Sequence, residues 1–540
     1  MSKFRTSLGE DIFRQKYAQN AYQTWEDKAH TIVNWVCGDM NGTKNNLIGK
    51  DERDHLTHYI SEFKFMPGGR YLWYAGRKAR FFNNCYLLKA EEDSREEWAA
   101  LWQRGASCLM TGGGIGCDVS AFRPKGRTLS KTGGVSSGPI PFLLGMNEIG
   151  RNVMQGGSRR SAMYGSLSWE HEDAADFLTV KNWSQELRAA KEADFNTHAP
   201  LDMTNISLNY SDSWLSNMDS EIFHKNVYQA MSTGEPGFSF NFGPQANETL
   251  RNACCEVVSE DDSDVCNLGS VNMANIENFD EFKEVVELAS KFLVCGLIRA
   301  ELPYGKVEKV RQRNSRLGLG LMGMHEWLLQ RGYRYEMTDE LTKWLAAYAR
   351  VSEKAANEHC DRLYLSRPKG YRAIAPTGSI SMLAGTTSGI EPVYSVAYKR
   401  RYLTDGTKWK AQFAIDSTAE TLIASGILPE KIETAIDLAA DPERRIKFQS
   451  DVQRYVDMAI SSTVNLPAWG SELNNESTVP KYAAIIQRHA KGLRGLTVYP
   501  DGSRGGQPIT SVPYEEAKSK RGVVFDDNSD MACKDGVCGI

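Results

Sequence analysis

Asn252, Cys254 and Glu256 place an amide, a thiol and a carboxylate at every second position of one short run, Asn252-Ala253-Cys254-Cys255-Glu256. In an extended segment, side chains at i, i+2 and i+4 share a face, roughly 6–7 Å apart. The spacing therefore predicts that these three converge on one small ligand while Cys255 points away. Such a set offers a hydrogen-bonding amide, a sulfur nucleophile or radical carrier, and an acid/base. The competing local reading is a polar hairpin with buried cysteines, since an unpaired thiol packs as a small hydrophobe. A second thiol-bearing run, Cys266-Asn267-Leu268-Gly269-Ser270, follows closely.

Other segments carry chemistry of a compatible kind. Pro376-Thr377-Gly378-Ser379-Ile380-Ser381 follows a strand-like run and leads into a helix. A turn of this type presents N–H groups to an anion, and it is equally the composition of an ordinary helix N-cap. Gly112–Gly116 matches only a loose glycine-loop pattern and has no supporting acidic residue for a dinucleotide fold. It reads as a turn or a close backbone approach. Arg159 and Arg160, in the Gly/Ser-rich loop 155–162, have the chemistry to meet a phosphate or a base, or to remain solvated. Cys533 and Cys538 sit in a polar tail with too few neighbours for a four-ligand zinc site, and their spacing suits a reversible disulfide.

The elements that position these groups alternate. Residues 1–60 read as an amphipathic helical region. A helix is expected from Ser94, an N-cap with Glu97 three residues on. Further helices are expected near 281–301, 339–362, 443–461 and 478–491, with strands at 371–375, 462–466 and 496–499. Strands and helices in this rhythm predict a parallel α/β construction. The 540 residues suffice for one large α/β domain, and a net charge of −4 argues against a nucleic-acid partner. No apolar run reaches membrane-spanning length, and the start lacks a signal peptide. Eleven scattered cysteines do not form a secreted disulfide framework, so a cytoplasmic protein with reduced thiols is expected.

Taken in order, Cys85, the Asn252-x-Cys254-x-Glu256 run, Cys266-Asn-Leu-Gly-Ser, the Pro376-Thr-Gly-Ser turn and the terminal cysteine pair resemble ribonucleotide reductase catalytic subunits. GGGIGCDVS, TGGVSSGPIPF, QGGSRRSA, RQRNSRLGLGLMG, TVNLP and LTVYPDGSRGGQ extend the resemblance from about residue 60 to 510. It implies a ten-stranded α/β barrel of two five-stranded parallel halves, with the Cys254 loop as a central finger. The implied organisation is a helical region over 1–60, the barrel over 61–514 and a flexible redox-active tail over 515–540, without an ATP-cone domain.

The resemblance also implies roles. Cys254 would carry a thiyl radical, Glu256 would serve as general base and Asn252 would orient the sugar hydroxyls. Cys85 and Cys266 would supply two electrons and end as a disulfide. Cys533 and Cys538 would reduce that disulfide and draw electrons from a thioredoxin- or glutaredoxin-type donor. Thr377, Gly378, Ser379 and Ser381 would hold the substrate phosphates. Asp93 and Ser94, with Arg159 and Arg160, would serve a deoxynucleotide effector, a site often found at a homodimer interface. The chain contains no Tyr-Tyr dipeptide, and residues 496–504 resemble the adenosylcobalamin-dependent class. That class is favoured over activation by a ferritin-like radical subunit. No protein-bound metal ion is expected. A non-catalytic nucleotide-binding protein is the remote alternative, and a bacterial cell or phage-infected host the expected setting.

Overall fold

A computed structural model describes residues 3–38, 46–131, 133–153, 161–194, 197–404, 408–503 and 509–526. Near the N-terminus, Thr6 and Thr24 accept from backbone N–H groups of the helices Ser7–Ile12 and Trp25–Cys37, so each begins at a hydroxyl cap. Trp25 stacks on Phe63, with ring centroids 5.0 Å apart, and fastens these helices to the body.

The first strand, β1 (Phe65–Pro67), precedes five parallel strands: β2 (Cys85–Lys89), β3 (Gly114–Asp118), β4 (Met163–Ser168), β5 (Thr204–Tyr210) and β6 (Gly237–Phe240). They neighbour one another in chain order, with helices between them. A short hairpin, β7 (Leu250–Arg251) and β8 (Val258–Ser259), leaves this sheet. β9 (Asp264–Cys266) then returns antiparallel to β2, and β10 (Leu268–Asn272) pairs parallel to β11 (Gly318–Met322) and antiparallel to β1. A further hairpin joins β12 (Ala397–Thr404) to β13 (Lys408–Ile415). β14 (Thr463–Leu466) runs parallel to β15 (Gly495–Pro500), whose other edge is antiparallel to β6. β16 (Ile509–Ser511) and β17 (Val524–Asp526) flank the β12–β13 hairpin. The result is a mixed α/β fold with an eight-stranded sheet.

The expected strand at 371–375 appears as isolated parallel bridges, Leu319 with Arg372 and Ile374 with Ile460. These link β11 to the segment before β14. The helix expected over 443–461 spans Pro442–Gln453. Beyond it, the Gln453 side chain donates to the carbonyls of Val456 and Met458, while Asp457 accepts from the N–H groups of Tyr371 and Arg372. Those bonds suit a strand partner and not another helical turn. The tail expected from residue 515 starts instead with ordered structure: the helix Tyr514–Ser519 buries Ala517, and Phe525 of β17 packs on Phe413.

Two large apolar clusters support the fold. One gathers the N-terminal helices and the long helices Phe279–Arg299 and Asp339–Arg362, and the other surrounds β2–β6. A smaller cluster lies between the two groups of strands. There Leu250, Ala253, Val257 and Val258 of the β7–β8 hairpin pack with Leu87, Leu268, Ala373 and Ala375.

Glycines in β3 make that insertion possible. A Cβ placed on Gly116 would lie 1.7 Å from the Arg251 carbonyl oxygen, and one on Gly114 would lie 3.1 Å from the Ala253 Cβ. Residues 112–116 thus serve a close backbone approach, with Gly114–Gly116 inside the strand. Gly116→Ala is expected to cost about 1–3 kcal/mol through overpacking and to lower the thermal unfolding midpoint. Gly305→Ala, where a Cβ meets nothing within 4 Å, is the control. Equal midpoints for the two variants would refute the packing argument.

Candidate active site

The residues expected to face one ligand from an extended run lie instead on a tight turn. Between β7 and β8 the Asn252 N–H donates to the Val257 carbonyl at 3.2 Å, and the Cys255 N–H to the Asn252 carbonyl at 3.0 Å. Cys255 takes φ +70°, a left-handed conformation that an extended segment excludes. The convergence of Cys254 and Glu256 survives for a different reason: the turn places both on the wall of one cleft. Alternation along a strand plays no part.

Arg251 fixes the root of this turn. Its guanidinium is buried and donates to the Asn241 side chain at 2.6 Å, the Glu248 carbonyl at 2.6 Å and the Arg494 carbonyl at 3.1 Å. The tip is held by the Ala459 N–H, which donates to the Glu256 carbonyl at 2.8 Å. The loop is therefore tied to both groups of strands.

Cys254 is half-exposed, whereas Glu256 is buried. Burial raises the Glu256 carboxyl to about 8, the nearby Cys85 adds to the rise, and a hydrogen bond from Asn252 opposes it. The Glu256 Oε2 atom has no hydrogen-bond partner among the described residues. Asn252 is fully buried and accepts from the Val257 N–H at 3.0 Å, behind the cleft wall. Cys255 does not line the cleft, and burial pushes its thiol up to about 12.

Cys85 opens β2 and lines the same cleft. Its direct partner across the antiparallel ladder is Cys266, at the end of β9. Opposed residues in such a ladder have Cα atoms roughly 4.5–5.5 Å apart, inside the disulfide range of about 4.4–6.8 Å. Strand register alone thus brings together two cysteines that are distant in sequence. Beside them, Asn267 accepts from the Tyr71 hydroxyl at 2.5 Å and donates to the Leu293 carbonyl at 2.8 Å, pinning the strand to the helix Phe279–Arg299.

The cleft spans about 650 Å³, counting space open to solvent, and the Pro376–Ile380 turn forms part of its wall. Thr377 adopts φ +47°, and its hydroxyl accepts from the Gly389 N–H at 3.0 Å. Gly378 is exposed and Ser379 half-exposed at the rim. Ser381 lies underneath, its hydroxyl 2.8 Å from that of Ser388, and does not line the cleft.

Asp93 and Ser94 sit beyond the opposite end of β2 from Cys85. Asp93 pairs with Arg123 at 2.5 Å, and Ser94 caps the helix Arg95–Met110 by accepting from the Glu97 N–H at 3.0 Å. Glu97 turns its carboxylate to the Glu91 N–H at 3.0 Å, so only half of the expected capping box forms. Arg159, Arg160, Cys533 and Cys538 lie outside the described residues.

Sequence reasoning missed several residues of the cleft wall: Lys16, Tyr17, Asn84 and Ser270, with the backbone of Gly68 and Gly69. Asn84 adjoins Cys85 and Ser270 closes the Cys266 run, so position beside a candidate thiol was an available signal. Lys16 and Tyr17 had none, because only tertiary packing brings the N-terminal segment to this site.

The family model for the ribonucleotide reductase barrel domain matches residues 83–221, 215–358 and 367–499. A vitamin B12-dependent ribonucleoside-diphosphate reductase of Mycobacterium tuberculosis is 28% identical over 84% of this chain and 72% of its own length. A like-named protein of Thermoplasma acidophilum is 25% identical over 89% and 72%. A Mycobacterium phage D29 protein named for adenosylcobalamin-dependent ribonucleoside-triphosphate reduction is 23% identical over 98% of both chains. The crystal structure of a B12-dependent class II ribonucleotide reductase superposes with a TM-score of 0.72 at 16% identity, covering 96% of this chain and 95% of that one, a likeness of fold. The family match runs through β2–β6, the β7–β8 turn and the Pro376–Ile380 turn of the cleft wall, and the chain belongs to the ribonucleotide reductase family.

Proposed function

We propose that this chain reduces ribonucleotides to 2′-deoxyribonucleotides by thiyl-radical chemistry, with adenosylcobalamin as the source of the radical. The observation that carries this reading is the meeting of Cys254, Glu256 and Cys85 in one cleft, with Cys266 opposite Cys85 in the ladder. The names of the mycobacterial, Thermoplasma and phage relatives support the cofactor.

The residues present fit that cofactor. Cys254 is only partly buried and lines a cleft with an open side. Gly69, Gly378 and Ser379 at the rim would flank a broad group, and a Cβ at Gly378 would meet nothing within 4 Å. When bound, adenosylcobalamin would supply an organic radical able to take the hydrogen of the Cys254 thiol.

The remaining steps belong to the chain. The Cys254 thiyl takes the 3′ hydrogen of the ribose, which weakens the adjacent 2′ carbon–oxygen bond. Glu256 takes the 3′-hydroxyl proton as general base, and Asn252 positions Glu256 through their hydrogen bond. The 2′-hydroxyl leaves as water. Cys85 and Cys266 give up two electrons and two protons and become a disulfide, and Cys254 returns the abstracted hydrogen to the 3′ carbon, which completes the product and restores the thiyl. Thr377, Gly378 and Ser379 receive the phosphates, with Ser381 bracing the turn from below.

Around this centre we read β2–β6 as one five-stranded half of a ten-stranded barrel, and β10, β11, the bridged segment 371–375, β14 and β15 as the other. The antiparallel β6–β15 and β2–β9 pairings support that closure. The reading further assigns regeneration of Cys85 and Cys266 to Cys533 and Cys538, fed by a thioredoxin- or glutaredoxin-type donor. It assigns deoxynucleotide signalling to Asp93 and Ser94 with Arg159 and Arg160, in a cytoplasmic homodimer.

The purified chain, given a ribonucleotide, a dithiol and adenosylcobalamin but no second protein, is expected to form the 2′-deoxynucleotide. Product that appears only after a metal-loaded protein partner is added would overturn the cofactor assignment. Cys254→Ser is expected to lower turnover by more than about 10³-fold with an unchanged unfolding midpoint, and a variant that keeps its rate would remove Cys254 from the radical role. A carboxyl raised to about 8 is ionised only above that pH. The kcat/KM profile should therefore rise with pH through about 8 and not through the ordinary carboxylate range. Glu256→Gln should abolish that limb and lower the rate by about 10²–10⁴-fold; an unchanged acid limb in this variant would exclude Glu256 as its source.

A further inference from the structure

We infer that Lys16 is a substrate-phosphate ligand, delivered to the site by the N-terminal segment. The inference rests on the functional reading above and adds a residue outside the matched barrel domain.

The charge of the cleft is the starting point. Among the described residues that line it, Lys16 is the only cation, and its Nζ lies 3.3 Å from the Ser379 hydroxyl. A nucleotide phosphate carries two or more negative charges. At the Thr377–Ser379 turn it would otherwise meet hydroxyls and backbone N–H groups alone. The carboxyl of Glu256 and the thiols of Cys254 and Cys85 line other parts of the cleft wall. The lining is thus polarised: cation and hydroxyls gather at the 376–380 turn, while the redox groups sit on other elements. A nucleotide with its phosphate at Lys16 and its sugar at Cys254 and Glu256 matches both parts.

The segment bearing Lys16 is built to stay in place. Gly9 packs so closely on the end of the helix Gly378–Ala384 that a Cβ there would lie 3.0 Å from the carbonyl oxygens of both Met382 and Leu383. Arg5 donates to the Gly385 carbonyl at 2.9 Å and pairs with the buried Glu326 at 2.5 Å. Phe13 packs edge-on to Trp25, with centroids 5.7 Å apart. The segment is therefore tied to the ends of the very helix whose first turn would receive the phosphate. A flexible lysine on so fixed a base acts as a point charge with three donors, suited to a phosphate whose outer oxygens differ among substrates.

Calorimetric titration of cytidine and CDP into the wild-type chain, Lys16→Met and Lys16→Arg tests the assignment. Wild type should bind CDP more tightly than cytidine. Lys16→Met should weaken CDP binding by about 10- to 100-fold, as loss of a charge-assisted hydrogen bond predicts, and leave cytidine binding unchanged. Lys16→Arg should restore most of the CDP affinity. Equal CDP affinity in Lys16→Met and wild type would overturn the inference while leaving the functional reading intact. Equal loss of CDP and cytidine binding in Lys16→Met would also overturn it, by making Lys16 a support for the fold. A wild-type chain that prefers CDP no more than cytidine would remove the phosphate subsite, and the functional reading would fail with it.

Discussion

The fold depends on one close approach of backbone to backbone. The carbonyl of Arg251 rests where a side chain on Gly116 would stand, so the β7–β8 turn reaches into the space between two groups of parallel strands. Nothing larger than hydrogen fits at that position. The apolar flanks of the turn, Leu250, Ala253, Val257 and Val258, gain burial by the insertion, while its polar groups lose water. Arg251 offsets part of that loss by donating to carbonyls from three directions. A buried guanidinium is costly without partners, so the same bonds that satisfy it also dictate where the turn sits.

The chemistry follows from the burial. A carboxyl brought into this interior with one oxygen unpartnered among the described residues is a destabilising feature by ordinary accounting, since an unsatisfied buried acceptor costs about 1–3 kcal/mol. The proposed function would give that oxygen a partner in a substrate hydroxyl. The burial that disfavours the carboxyl's ionised form also makes that form a stronger base. Cys254, two residues earlier, stays half-exposed on the same turn. A single hairpin thus offers one group to the outside and shelters another, and the sharp reversal at Cys255 makes the division possible.

Much of this was legible in the residues themselves. The Cys254 and Glu256 pair, the glycines of β3 and the helices Asp339–Arg362 and Val479–His489 could be read from type and spacing. The geometry at Cys254 was misread because alternation in sequence does not distinguish a strand from a tight turn, and the positive φ of Cys255 leaves no compositional trace. The β12–β13 hairpin was missed because its strands are rich in lysine and arginine and lack clean alternation. Lys16 was missed for a deeper reason: its local pattern is that of any amphipathic helix, and only the docking of Gly9 and Arg5 on a distant helix gives it a place. The pairing of Cys85 with Cys266 is set by strand register, a long-range property that neither segment encodes alone.

That register has a consequence for traffic. Because Cys85 and Cys266 are opposed in register, the proposed disulfide between them would leave the pairing of β2 with β9 unchanged. Cys85 lines the cleft yet remains almost wholly covered, at 6% exposure. A sulfur so covered presents little surface to a folded dithiol protein. On the proposed reading, electrons would reach it most readily on something as thin as a single extended strand of polypeptide.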